Sequence, residues 1–299
     1  MPVSHLTYPE AVVIGALQGV TELFPVSSHG HSVLLPALLG GRWARDLSVS
    51  AAESPYLAFI VGLHVATAVA LLVFFWRDWV RILHGFGTSI RYRRISTPDE
   101  RLAWMIILAT IPVGVTGLVL EHTFRTVLGR PIPAAIFLAV NGVLLYGAER
   151  LRRRADQRTS IGGHGSVAVD QRIATGAFTG TTLVGAAQIL ALLPGISRSG
   201  ITMAAGLLKG LSHEDAARFS FLLATPVILA AGVLKLPDLF GPLGDGIRSQ
   251  VIVGSLASGV AAYLAVRFLT RYFETRTLTP FAIYCVAAGL GSLAWLTLA

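Results

Sequence analysis

Gln18-Gly-Val-Thr-Glu22-Leu-Phe-Pro25-Val-Ser27-Ser28-His29-Gly30-His31 interrupts an apolar stretch near the start of the chain. Gln188-Ile-Leu-Ala-Leu-Leu-Pro194-Gly195-Ile-Ser197-Arg198-Ser199-Gly200-Ile-Thr202 interrupts another in the second half. Each reads as an apolar helix stopped by proline, a serine cluster able to cap a new helix, and a second short apolar helix. Irregular backbone of this kind is tolerated inside a bilayer only where it is buried in protein or lines a polar cavity. Two such breaks at corresponding places in the two halves point to one site assembled from both.

The chain around the breaks is apolar throughout. Of its 299 residues 54% are hydrophobic and only 13% charged, about half the charged share of a soluble domain. The mean hydropathy is +0.67. Six stretches are long and apolar enough to span a bilayer: Pro55–Trp76, Leu102–Leu120, Pro133–Ala148, Phe219–Leu236, Val251–Leu269 and Phe281–Leu298. The pieces flanking the breaks, Tyr8–Phe24 with Val33–Gly40 and Ile173–Leu193 with Ile201–Gly210, end in a member too short to cross, so each reads as a re-entrant pair. The expected fold is an all-α polytopic membrane protein, with six transmembrane helices plus two re-entrant helix pairs in an inverted-topology repeat. Residues 1–150 form the first repeat, 151–172 a linker and 173–299 the second. Three spans per repeat is an odd number, so the second repeat enters the membrane upside down.

Charge orients this arrangement. The formal net charge of +8 sits in arginines between spans rather than on a nucleic-acid-binding face. The Arg77–Arg101 loop, the central Arg150–Arg172 stretch and the loop with Arg271 and Arg276 all fall on one side. Arg125, Arg130 and Arg248 are the arginines of the other. Positive charge marks the cytoplasmic side, so both termini are expected outside, with the first pair dipping in from outside and the second from the cytoplasm. The single Cys285 lies within a span, so no intramolecular disulfide forms. The N-terminus does not read as a signal peptide, because no basic segment precedes Leu6–Phe24 and Glu10 and Glu22 interrupt it.

The residues of the breaks are those of phosphate chemistry. Ser197 caps the helix after the second break and Ser199 lies in its first turn. A helix N-terminus attracts anions through free N–H groups and its dipole. Arg198 adds a planar fork matched to phosphate oxygens, and Thr202 stands one turn further on the same face. An arginine inside a membrane costs ~2.5–3.5 kcal/mol even on the lenient insertion scale, which favours a function over a passive role. In the first break, Ser27 or Ser28 caps the helix that carries His31. Serine and histidine within reach are the minimum pair for an activated nucleophile, and histidine could equally attack directly or protonate a leaving group. Glu22 and Gln18, four apart on one helix face, could orient His31 or hold a divalent cation. His64 reads as a packed histidine, His213-Glu214-Asp215 as a solvated helix start, and His164 as a solvated loop residue.

These two segments closely resemble the undecaprenyl-pyrophosphate phosphatase family of bacterial enzymes, also linked to bacitracin resistance. The family motif (Glu/Gln)-x-x-x-Glu followed by Pro-Val-Ser-Ser-x-Gly-His matches Gln18–Glu22 and Pro25–His31, and Pro-Gly-x-Ser-Arg-Ser-x-x-Thr matches Pro194–Thr202. The resemblance implies a plasma-membrane hydrolase that removes the terminal phosphate of a C55 polyprenyl diphosphate, recycling the cell-wall lipid carrier, with Mg²⁺ or Ca²⁺ as aid. It implies a site reached from the periplasmic side. Two departures stand out: Gln18 takes the place of the commoner Glu, leaving a metal role to Glu22, and His29 occupies a position usually held by a small residue. The expected site therefore has Glu22, Ser28, His31 and Arg198 as reacting groups, with Ser27, Ser197, Ser199 and Thr202 binding phosphate. Ser28 is the preferred nucleophile with His31 as base; direct attack by His31 is the second option. The expected partners are the lipid substrate and the membrane, with a homodimer as the candidate assembly and no nucleic acid. A flippase of polyprenyl phosphate would need the same inverted repeats and anion site, and stands as the rival.

Overall fold

The computed structural model describes residues 6–47, 55–123, 128–156, 173, 178–241 and 246–298. Residues 157–172 of the expected linker, with His164, and Arg125 lie outside the described residues, whereas residues 151–156 continue a helix. Among the described residues the regular structure is helical: α1 Tyr8–Leu23, α2 Ser28–Leu39, α3 Gly41–Asp46, α4 Pro55–Phe74, α5 Trp76–Tyr92, α6 Pro98–Thr123, α7 Pro131–Asp156, α8 Phe178–Ala187 continued by a 3₁₀ turn Gln188–Leu192, α9 Arg198–Leu208, α10 His213–Phe240, α11 Arg248–Thr275 and α12 Thr279–Leu298. Five of these, α6, α7, α10, α11 and α12, are long and apolar enough to cross a membrane; α4 with α5 forms a sixth candidate, bent by 85°. The protein is an all-α multi-pass membrane protein. Its outer stripes are apolar, as with Ile252, Leu256 and Val260 of α11, while Gln18, Glu22, Asn141 and Gln188 are buried. This is the inverse of a water-soluble surface, as a hydrocarbon solvent requires.

Local chemistry sets the helix ends. Thr7 and Glu10 form a capping box ahead of α1. Phe24 leaves the helix in an extended conformation, because the residue before Pro25 is excluded from the α region. Ser27, Ser197 and Ser212 cap α2, α9 and α10 by accepting backbone N–H bonds. The Arg77–Arg101 segment, expected as a loop, is mostly helix α5. Its Ile82, Gly85 and Ser89 turn inward and Gly85 packs onto the start of α6. Charges that suggested a loop are thus the outer face of an amphipathic helix. The expected solvated start at His213 is likewise corrected. Ser212 does begin α10, but His213 is largely buried and pairs with Glu149 of α7 at 2.7 Å, and Arg152 also bonds its ring.

Contacts fix relative directions. Gly15 of α1 lies on Gly254 of α11 and Gly19 on Ser258, so α1 and α11 run the same way. Thr67 bonds Ser258 at 3.1 Å and Phe74 packs on Tyr263, so α4 runs with them. Gly185 of α8 lies on Ala109 and Leu192 reaches Gly117, so α8 runs with α6. The arginine-bearing ends gather on one side of the bundle. Arg218 near the start of α10 pairs with Asp78 of α5 at 3.0 Å, and His213 meets the end of α7. The helix α6 leaves from that end, and α8 starts beside it, with Arg101 over the Phe178 ring. Consequently α1 and α8 approach each other from opposite ends of the bundle.

Candidate active site

The two breaks meet tip to tip. A Cβ on Gly30 would stand 2.9 Å from the Gly195 Cα, and one on Gly200 3.2 Å from the Pro25 side chain. Gly195 also has a φ of +110°, which only glycine adopts cheaply. Asn141 of α7 brackets both tips. It accepts the Ser197 N–H at 3.0 Å and donates to the Pro25 carbonyl at 3.1 Å. Ser199 crosses the seam, its hydroxyl donating to the Phe24 carbonyl at 3.1 Å. Ser27 holds a φ of +69°, a conformation strained for a side chain with Cβ and common at functional sites.

Beside the seam lies a cavity of about 160 Å³, lined by Glu22, Ser27, Ser28, His29, His64, Ser197 and Arg198 with Gln188 and apolar side chains. Glu22, 8% exposed, is its hub. The Ser28 hydroxyl donates to Glu22 Oε2 at 2.5 Å. Arg198 Nη2 donates to Oε1 at 2.6 Å. Gln18 Nε2 donates to Oε2 at 2.9 Å, and His64 Nε2 stands 3.5 Å from it. A buried carboxylate with a guanidinium and two further donors is compensated rather than stranded. His64 Nδ1 lies 2.8 Å from the Ile60 carbonyl. A carbonyl only accepts, so Nδ1 carries a proton, while Nε2 stands 3.2 Å from the Gln18 side-chain nitrogen.

The expected residues divide. Glu22, Ser27, Ser28, Ser197 and Arg198 are brought together around the cavity. Ser199 and Thr202 lie in the tip itself, Thr202 donating to the Arg198 carbonyl at 2.8 Å. His31 stands apart from the cavity lining. Its Nδ1 bonds the Ser27 carbonyl at 2.7 Å, its Nε2 bonds the Tyr284 hydroxyl at 2.7 Å, and its ring stacks on Tyr284. The hydrogen bond of the Ser28 hydroxyl runs to Glu22, while the His31 ring bonds Ser27 and Tyr284. Sequence spacing missed Asn141, the cavity position of His64, and Tyr284. A signal existed for Asn141: it is an amide inside an otherwise apolar span, where polar side chains are rarely idle. His29 is exposed and lines the cavity beside Ser28.

Known proteins share this arrangement of sequence. The family profile described as bacitracin resistance protein BacA matches residues 11–291. An undecaprenyl-diphosphatase of Mycolicibacterium paratuberculosis is 70% identical over 99% of both chains, as is one of Mycobacterium avium. Undecaprenyl-diphosphatase 2 of Frankia alni is 56% identical over 95% of this chain and 96% of its own. The matched region contains both breaks, the helices that carry them and the cavity between, and on that extent of likeness the chain belongs to the BacA family.

Proposed function

We infer that the protein hydrolyses undecaprenyl diphosphate to undecaprenyl phosphate and inorganic phosphate in the bacterial inner membrane, recycling the lipid carrier of cell-wall synthesis. Identity of 70% over the whole length to undecaprenyl-diphosphatases supports the substrate. The observation that carries the chemistry is the Ser28–Glu22 hydrogen bond in a cavity that Arg198 closes from the other half of the chain.

Ser28 Oγ attacks the terminal phosphorus while its proton passes to Glu22 Oε2. The bond from that phosphorus to the bridging oxygen breaks, and the lipid phosphate leaves with the electron pair. Water then attacks the phosphoserine and releases inorganic phosphate, returning the hydroxyl. Arg198 binds the phosphates and takes up the charge that grows on the equatorial and leaving oxygens, a stabilisation that usually dominates phosphoryl transfer. Ser27 and Ser197 offer hydroxyls from the cavity wall. Ser199 and Thr202 hold the tip that presents Arg198, and His31 fixes the strained Ser27.

A divalent cation, Mg²⁺ or Ca²⁺, fits the donor set in one respect. Gln18 Oε1 is buried with no hydrogen-bond partner, a hard oxygen beside the Glu22 carboxylate. Among the described residues no three acidic, histidine or cysteine side chains converge as a metal-ligating group, here or elsewhere. Gln18 and Glu22 would hold the ion together with substrate oxygens, as is usual for Mg²⁺ in phosphate sites, and it would supply charge neutralisation of the diphosphate.

In the same reading the two halves form an inverted repeat, the arginine-rich end faces the cytoplasm, both termini lie outside, and each broken pair is re-entrant. The opposed entry of α1 and α8 and the gathered arginines support this. All the groups invoked come from one chain, so the chemistry does not call for a second copy. The flippase reading has no observation of its own, and the relatives named above carry phosphatase names. Phosphate release by purified protein from undecaprenyl diphosphate tests the reaction, and mass spectrometry of rapidly quenched enzyme tests the phosphoserine. Wild-type turnover by Ser28→Ala would overturn the assignment of the nucleophile.

A further inference from the structure

Outside the cavity lining, the C-terminal end of α11 and the residue that follows it carry three arginines. Arg267, Arg271 and Arg276 are exposed, and among the described residues their side chains form no hydrogen bond or ion pair. They line one groove of about 420 Å³ with Leu264, Phe268 and Tyr272. Glu274, the acidic residue of this helix, is not in its lining. Three guanidiniums beside one groove repel each other, and the repulsion is relieved when an anion sits among them.

The place of the groove says what kind of anion. Helix α11 ends on the same side as the α4–α5 bend. There Trp76, 56% exposed, and the exposed Arg77 and Arg91 of α5 with Arg93 and Arg94 just after it mark a membrane–water boundary. That is the depth of lipid phosphates. Leu264 and Phe268, both exposed, continue from the arginines one turn at a time toward the middle of the span. Charge at the boundary and apolar surface leading inward match a phosphate head with a hydrocarbon tail. A phosphodiester lipid brings one negative charge, whereas a terminal phosphate brings about 1.5–2 and answers three guanidiniums better. Phe268 also stacks on Phe24 at 6.0 Å, the residue before Pro25, so an occupant of the groove abuts the first break.

We propose that the Arg267–Arg271–Arg276 groove of α11 is a second lipid site, which binds a lipid ending in a terminal phosphate or diphosphate. The anion site stands on its own geometry. Its link to the lipid that the enzyme itself handles rests on the function proposed above.

The test measures equilibrium binding of farnesyl phosphate to the full chain in phosphatidylcholine nanodiscs, without turnover. Wild type binds at two sites. Arg198→Ala retains the groove site, whereas Arg267→Gln/Arg271→Gln/Arg276→Gln loses it, with affinity falling about tenfold or more for the charged hydrogen bonds removed. The single variant Arg271→Gln, judged folded by thermal melting, shows a smaller loss in the same direction. Inorganic phosphate or phosphatidylglycerol displacing farnesyl phosphate as well as unlabelled farnesyl phosphate does would overturn the proposal, in favour of a free-anion site or a bulk-lipid surface. Unchanged binding in the triple variant would overturn it too. Loss of phosphate release in Ser28→Ala bears on the reaction alone, so the two readings fail separately.

Discussion

The break between α1 and α2 and the break between α8 and α9 share a construction and differ in what they contribute. In both, a proline ends an apolar helix and a serine caps the next by accepting a glycine N–H three residues on: Gly30 to Ser27 at 3.2 Å, Gly200 to Ser197 at 3.1 Å. The first break brings a carboxylate and a hydroxyl, Glu22 and Ser28, already hydrogen-bonded to each other. The second brings a cation, Arg198, and no acid or base. The first is also the strained one, with Ser27 at positive φ, while Ser197 sits in ordinary extended backbone. In the proposed reaction the two tips divide labour: the first supplies the hydroxyl and carboxylate and the second the charge that stabilises them.

That division can be broken by experiment. Ser28→Ala removes the proposed nucleophile of the first tip, and phosphate release is expected to fall about 10³-fold or more, as when an activated nucleophile is deleted. Arg198→Lys keeps the charge of the second tip but not its fork. Its turnover is expected to fall by ~10², in line with the loss of one charge-stabilising donor. If Arg198→Lys costs as much as Ser28→Ala, the second tip does more than stabilise charge.

Asn141→Ala attacks the bracket between the tips. It leaves the Ser197 N–H and the Pro25 carbonyl without their side-chain partner, and should destabilise the fold by about 1–3 kcal/mol, read as a lower melting temperature in detergent. Gln18→Glu restores a carboxylate beside Glu22. The half-saturating Mg²⁺ concentration should fall several-fold, by about the 1 kcal/mol expected of one added ligand charge. An unchanged cation dependence would remove Gln18 and Glu22 from the metal proposal. Tyr284→Phe removes one partner of His31 outside the cavity and should cost about 0.5–1.5 kcal/mol, with turnover within about threefold. A collapse of turnover in this variant would put His31 back among the reacting groups.

Much of this was legible beforehand. Proline, the serine caps and apolar length placed α1, α2, α9 and five spans, although α7, α10 and α11 run one to two turns beyond the expected apolar stretches, because local chemistry and apolar length mark a helix better than they mark its polar ends. Helix α5 was not legible as a helix, since its arginines in a polar setting resemble a loop until Ile82, Gly85 and Ser89 are known to face a neighbour. Nor was the burial of His213, whose partner Glu149 lies 64 residues earlier.

The sequence by itself determined that the chain is a bundle of membrane helices with two proline breaks, and it singled out Glu22, Ser28 and Arg198, which line one cavity. Periodicity, apolar length and capping are local properties, and two motifs with few alternatives carried the rest. Only the tertiary structure gives the Ser28 hydroxyl its hydrogen-bond acceptor. Spacing paired Ser28 with His31, gave Glu22 an orienting or metal-binding role and left His64 as a packed histidine. The choice rests on Glu22 facing the cavity while His31 turns to Tyr284, 253 residues away. Side-chain direction at a helix break is set by what packs against it, and those partners, Asn141, Tyr284 and Arg198, come from parts of the chain that no local pattern brings together.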